Sequence, residues 1–206
     1  MTSKVVRILL GERIVSQIKL NLGCYDKQLP GFVNVDIRKE CNPDIVDDAF
    51  KLETFKEDSV DLIYSSHLFE HLNYVQAKEA LDRWYEVLKP GGILRIAVPD
   101  FEALAKRYAY TGNLREIRNS ISGSQCHPFD FHYCVYDEKY LTDCLSDAGF
   151  GEIKRYDWAT TPPHNYVDDF SRAYLPSDKP DIALSHGRVL RQDGLLVSLN
   201  MEGVKD

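Results

Sequence analysis

Apolar and polar positions follow two rhythms along this chain. Short apolar runs rich in β-branched residues predict strands at 18–22, 32–36, 45–46, 60–64 and 93–98. Between the fourth and fifth runs, Tyr74, Ala77, Ala80, Leu81, Trp84, Val87 and Leu88 recur at three- and four-residue steps. That spacing predicts an amphipathic helix, with Lys78, Glu79, Asp82, Arg83 and Glu86 on its other face. Asn73 stands where a cap is needed, and Pro90-Gly91 stops the helix. Further helices are predicted from 101 to about 110 and from 137 to 148, the latter stopped by Gly149. Strands at 152–158 and 195–200 complete the pattern.

Strands alternating with helices predict an α/β, Rossmann-like fold, a mostly parallel sheet with helices on both faces. Ligands of such sheets bind beyond the carboxyl ends of the strands. Gly23, Asp36, Asp48 and Ser65-Ser66-His67 therefore share one rim. A parallel crossover needs about a dozen residues or more, usually with a helix. Only residues 23–31 separate the first two strands, and Pro30-Gly31 opposes helix there, so the first helix is expected to be shortened or missing. Residues 1–206 read as a single domain. Residues 160–193, rich in Pro, Asp, Ser and Gly, read as an acceptor-binding or partly disordered insertion before the last strand. Its candidate pocket residues are His164, Tyr166, Asp168, Asp169 and Tyr174. Residues 5–16 could form a strand pair, a helix or a dimer arm.

Composition narrows the class. The 206 residues are one domain's worth, 44% are apolar and the formal net charge is −7. An acidic chain is a poor match for a phosphate-tracking surface, so no nucleic-acid partner is expected. No apolar run approaches the ~20 residues that span a bilayer, and the opening residues lack a signal-peptide pattern. No membrane association is expected. Five cysteines without a C-x-x-C pair fit a reduced, cytoplasmic protein.

Three constellations could carry chemistry. In the first, Asn21-Leu22-Gly23-Cys24 leaves a strand, Asp36 ends the next, and Asp48-Ala49 follows the third. A glycine there lets a ligand approach the backbone. An acid ending the second strand can accept both hydroxyls of a ribose, and a carboxylate after the third can take an adenine amine. Singly these are ordinary strand ends; in order they point to nucleoside binding.

From these residues the chain resembles class I S-adenosylmethionine-dependent methyltransferases of the type 11 group. The resemblance runs from about Lys19 to Pro99. The family's strand–glycine motif reads here Asn21-Leu22-Gly23-Cys24-Tyr25. Asp36 matches its ribose acid and Asp48-Ala49 its adenine pair. The run from Asp61 to Leu72 matches its D-x-I/V-x-S-x-H-x-x-E-H segment, and Leu88-Lys89-Pro90-Gly91-Gly92 its turn before the fifth strand. The resemblance implies the class I methyltransferase fold and S-adenosylmethionine as cofactor, with S-adenosylhomocysteine as product. The implied acceptor is a small molecule or a sugar of a glycan pathway. Asn21, Gly23, Cys24, Tyr25, Asp36, Asp48, Ala49, Ser65 and Ser66 are the implied cofactor residues. Tyr25 replaces the motif's second glycine, so it either swings outward or lies over the cofactor. That departure favours the rival reading, a non-catalytic nucleoside-binding module.

The second constellation is His67-Leu68-Phe69-Glu70-His71. His67 is a candidate for the pocket, with Glu70 and His71 pairing on a first helical turn. The same spacing occurs in one class of zinc peptidases, in which both histidines would share a helix face. A zinc hydrolase built on His67, Glu70 and His71 is thus a remote third reading; no metal is expected. The third, Cys126 to Cys134, crowds thiols, imidazoles and aromatics into nine positions. His132 and His127 are its candidate general bases, His132 first because a similar Phe-His occurs in the resembled family. A metal set of Cys126, His127, His132 and Cys134 lacks ordinary zinc spacing.

Overall fold

The computed structural model describes residues 17–161, 169–175 and 194–206. Residues 5–16, His164, Tyr166 and Asp168 lie outside the described residues.

Seven strands form the main sheet: β1 (Lys19–Leu22), β2 (Val33–Asp36), β3 (Ile45–Val46), β4 (Val60–Ser66), β5 (Leu88–Pro99), β6 (Phe150–Arg155) and β9 (Ser198–Lys205). Their order is β3-β2-β1-β4-β5-β9-β6, parallel from β3 through β5, with β9 antiparallel to β5 and β6. β7 (Tyr174–Leu175) and β8 (Leu195–Leu196) form a separate ribbon. The helices are α1 (Tyr74–Val87), α2 (Phe101–Thr111), α3 (Arg118–Ser122) and α4 (Glu138–Asp147).

The two faces of the sheet differ in kind. On one, Val33, Leu20, Ile63 and Leu94 lie side by side across four strands, and Val35, Leu22, Ser65, Ile96 and Met201 form the next row. α1 and α4 cover this face, with Trp84, Leu81, Leu141 and Leu145 in its core. The Asn73 side chain accepts hydrogen bonds from Val75 and Gln76 N–H, and Gln76 Oε1 accepts from Asn73 N. This reciprocal box fixes where α1 begins. On the other face a row of polar residues crosses the sheet: Asn34, Asn21, Tyr64, Arg95, Glu202 and Lys154. Among the described residues, the loop after β1 and the segment at 169–175, which includes the 3-10 turn Phe170–Arg172, pack here.

The first helix is absent, as the short gap predicts, and two asparagines replace it. Asn21 Nδ2 donates to Lys27 O (2.8 Å) and to Asn34 Oδ1 (2.9 Å). Asn34 Oδ1 also accepts from Leu29 N at 2.7 Å. These bonds satisfy buried loop amides that a helix would satisfy by itself.

Several boundaries differ from the sequence expectation. β4 runs two residues past 64, so Ser65 and Ser66 belong to the strand. β5 begins at Leu88, because Leu88 already pairs with Val60 before the Lys89–Gly92 kink. The strand expected at 152–158 is β6, at Phe150–Arg155. The strand expected at 195–200 is two: Val197 turns the chain from the ribbon into the sheet, where β9 continues to Lys205. Its N–H donates to Ala173 O at 2.8 Å, so Val197 pairs with neither strand of the sheet. No described helix is long and apolar enough to cross a membrane.

Candidate active site

The carboxyl ends of β1, β2 and β4 gather Gly23, Asp36, Ser65 and Ser66 on one rim, with Leu22 beside Ser65 in register. Gly23 has φ +63°, and a Cβ there would lie 2.7 Å from Leu68 Cδ1. This left-handed conformation favours glycine, and a side chain there would displace the end of Leu68. Ser65 and Ser66 have buried hydroxyls with no hydrogen-bond partner among the described residues. A buried, unbonded hydroxyl is costly, and a bound polar ligand can recover that cost.

Asp36 is buried at the end of β2. Its Oδ2 accepts from Tyr25 N (2.9 Å) and its Oδ1 from Arg38 N (2.8 Å). The Arg38 guanidinium also reaches Oδ1 at 3.2 Å and Oδ2 at 3.4 Å. It then stacks on the Tyr25 ring, 4.6 Å from its centroid, and faces Phe129 at 5.9 Å. Tyr25 sits at φ 43° with its ring exposed, so the loop has swung the side chain outward. Arg38 escaped the sequence reading; a cation two residues beyond a strand-ending acid was the available signal.

The other cofactor candidates divide. Asn21 commits both amide hydrogens to the loop staple. Cys24 is buried; burial, with Asp36 adding to it, pushes its thiol up to about 12, so it stays protonated at neutral pH. Asp48 is partly exposed and accepts from Phe50 N at 3.0 Å. Ala49 is buried, and its carbonyl accepts from Trp84 Nε1 at 2.8 Å, so α1 positions this corner.

Beyond β4 lies a histidine–carboxylate cluster. His67 has φ 50°, and a three-residue 3-10 turn, Phe69–His71, follows it. His67 and His71 therefore do not share a helix face, which corrects the geometry needed for the zinc-hydrolase reading. His67 Nδ1 lies 3.3 Å from Glu70 Oε1, and Nε2 lies 3.0 Å from Ser198 Oγ. Ser198 Oγ donates to Asn200 Oδ1 (3.0 Å), and Asn200 Nδ2 donates to Ser171 O (2.9 Å). Burial alone would raise the Glu70 pKa; His67 first, then His71 and His132, outweigh it and hold the carboxyl down to about 2.

His132 Nδ1 donates to Ser120 O at 3.0 Å, and its Nε2 lies 3.9 Å from Glu70 Oε1. Burial holds this imidazole below its ordinary value despite the opposing pull of Glu70, so the ring is neutral at pH 7. The fold brings His67 and His132 to one carboxylate. His127 is elsewhere, on an exposed loop, with its Nδ1 accepting from Phe129 N at 3.3 Å. Of the 160–193 candidates, Asp169 Oδ2 accepts from Tyr64 OH at 2.5 Å, and Tyr174 OH accepts from Trp158 Nε1 at 3.2 Å. Ser198 and Asn200 were missed; the alternation Ser-Leu-Asn-Met was their signal.

Residues 30–96 match the model of a methyltransferase domain family, Methyltransf_11. No curated protein sequence matches the chain. Among solved structures, a SAM-dependent methyltransferase of Thermotoga maritima is 16% identical with a TM-score of 0.54, covering 92% of this chain and 82% of that one. A methyltransferase in complex with the Trm112 activator of Haloferax volcanii is 16% identical, with a TM-score of 0.53 and the same coverage, 92% and 82%. The N-methyltransferase NodS of Bradyrhizobium japonicum, bound to S-adenosylhomocysteine, is 13% identical with a TM-score of 0.51, covering 92% and 78%. At these identities the likeness is one of fold.

Proposed function

We propose that this chain is a class I S-adenosylmethionine-dependent methyltransferase whose acceptor is a small molecule or a sugar-pathway precursor, a reading supported by its fold and by the domain matched at residues 30–96. The observation that carries the reading is the buried Asp36 carboxylate at the end of β2, beside Gly23 and the unbonded hydroxyls of Ser65 and Ser66. Asp36 would hold the ribose and Asp48-Ala49 the adenine end. Gly23, Cys24 and the two serines would line the methionine end. Asn21 supports them by holding the loop, and the outward-turned Tyr25 ring carries the Arg38 guanidinium that meets Asp36. When bound, S-adenosylmethionine supplies an electrophilic methyl group, so the protein mainly has to align an acceptor with it.

For an oxygen acceptor a proton must also leave. His132 is our candidate base: Ser120 O fixes the proton on Nδ1 and leaves the Nε2 lone pair. Glu70 would stabilise the cation formed, and His67 would orient that carboxylate. Exposed Phe129, Phe131 and Tyr133 flank His132 in sequence and offer apolar surface to a sugar ring. The acidic net charge favours such acceptors over nucleic acid. The free cysteines suit a reducing, cytoplasmic compartment.

Calorimetric titration with S-adenosylhomocysteine tests the reading. Asp36→Ala should lose ~1.5–3 kcal/mol of binding, the scale of charge-assisted hydrogen bonds. His132→Ala should bind as the unsubstituted protein does. Absence of binding by the unsubstituted protein would favour the non-catalytic module, with Arg38 blocking Asp36.

A further inference from the structure

We propose that Glu70, His71 and His132 form a binding site for a divalent transition ion such as zinc. Each of the three side chains offers one ligand atom, and these atoms lie within 4.8 Å of one another. Two histidines and a carboxylate suit Zn²⁺, Fe²⁺ or Co²⁺, and three protein ligands leave a coordination position open.

Two further observations point to a cation. First, both histidines are oriented as ligands. His71 Nδ1 donates to Phe131 O at 3.0 Å and His132 Nδ1 donates to Ser120 O at 3.0 Å. A backbone carbonyl on one ring nitrogen is the usual support of a metal-bound histidine, because it fixes the tautomer and frees Nε2. The rings meet edge to face with centroids 4.7 Å apart. Second, Glu70 is 1% exposed, and neither carboxylate oxygen accepts a hydrogen bond of ordinary geometry from the described residues. Oε1 has His67 Nδ1 at 3.3 Å, but Oε2 has no such partner. A buried carboxylate needs neutralising charge, and a bound cation supplies it.

Ligands at 2.0–2.2 Å around a tetrahedral ion stand roughly 3.4 Å apart, so the cluster must contract on binding. His71, on a short 3-10 turn and only partly buried, is the member free to move. The site is not the H-x-x-E-H set, since His67 is engaged with Ser198. Occupancy would take the Nε2 lone pair that the proposed base uses, so a bound ion would suppress proton removal by His132.

Metal-stripped full-length protein should be titrated with ZnCl₂ in a calorimeter and with CoCl₂ by visible absorption, which reads coordination without any activity. One ion per chain is expected, with a tetrahedral or five-coordinate cobalt spectrum. His71→Ala and His132→Ala should each weaken uptake at least tenfold, with circular dichroism confirming the fold. Cys126→Ser, on the neighbouring exposed loop, should bind as the unsubstituted protein does. No uptake of either ion, or uptake that survives in folded His71→Ala, would overturn the proposal. S-adenosylhomocysteine binding is read separately, so loss of the methyltransferase reading would leave this result standing.

Discussion

The two faces of the sheet were built under different constraints. The face under α1 and α4 is a close-packed apolar layer in which Leu20, Ile63, Leu94 and Ile96 are fully buried. The opposite face carries the row Asn34–Asn21–Tyr64–Arg95–Glu202–Lys154, each group meeting a specific partner. Arg95 Nε, for example, donates to Glu202 Oε2 at 2.9 Å, and Tyr64 OH donates to Asp169. Apolar packing is non-directional and supplies most of the folding free energy. Hydrogen-bonded rows add little net stability, but they fix loops in place. The first face holds the fold together; the second places the rim.

The comparison can be broken most severely at Leu94. Leu94→Ala should cost about 2–5 kcal/mol of stability by urea denaturation. The folded variant should keep its affinity for S-adenosylhomocysteine, and a large loss of affinity would erase the distinction between the faces.

Acid should act next, through the histidine–carboxylate cluster. Both His132 and Glu70 hold protons less readily folded than unfolded, so both make stability fall as pH falls. The His132 share is full above its ordinary value of 6.5 and is lost as pH drops through its lower folded value. The Glu70 share is full above 4.5 and is lost toward about 2. At 1.36 kcal/mol per unit this second limb is roughly 3 kcal/mol. Urea midpoints measured across that range should show it, and Glu70→Gln should flatten it.

The smallest expected effect is that of Ser198→Ala, about 1 kcal/mol of stability, the worth of an ordinary hydrogen bond. Its sharper readout is the imidazole NMR signal of His67, which should shift as Nε2 loses its partner. An unmoved signal would detach His67 from the polar face.

The apolar face was legible in the sequence because its signal is periodic. Trp84 and Leu81 fall on the expected stripe, and Asn73 caps α1 where expected. The missing first helix was also legible, since only residues 23–31 stand between the first two expected strands. Of the candidate site, the strand ends were legible: Gly23, Asp36 and Ser65-Ser66 come together on the rim. Partners brought in by topology carry no local mark. Ser198 reaches His67 across 131 positions, and Ser120 O reaches His132 through the turn made by α3. The split of the expected strand at 195–200 was hidden for the same reason: Val197 is apolar like its neighbours, and its partner Ala173 belongs to another segment.

The position of β9 has a consequence for synthesis. It is the last described element, yet it sits inside the sheet, where Ile93 pairs with Val204 and Lys154 with Glu202. A ribosome adding about 5–20 residues per second needs roughly 5–20 s to travel from β5 to the end of β9. During that interval β5 presents an unpaired edge, and β6 has no neighbour to join the sheet. Such an edge invites pairing with other chains. A nascent chain halted before residue 198 therefore lacks the hydroxyl that holds His67, and the rim is finished only when the sheet is.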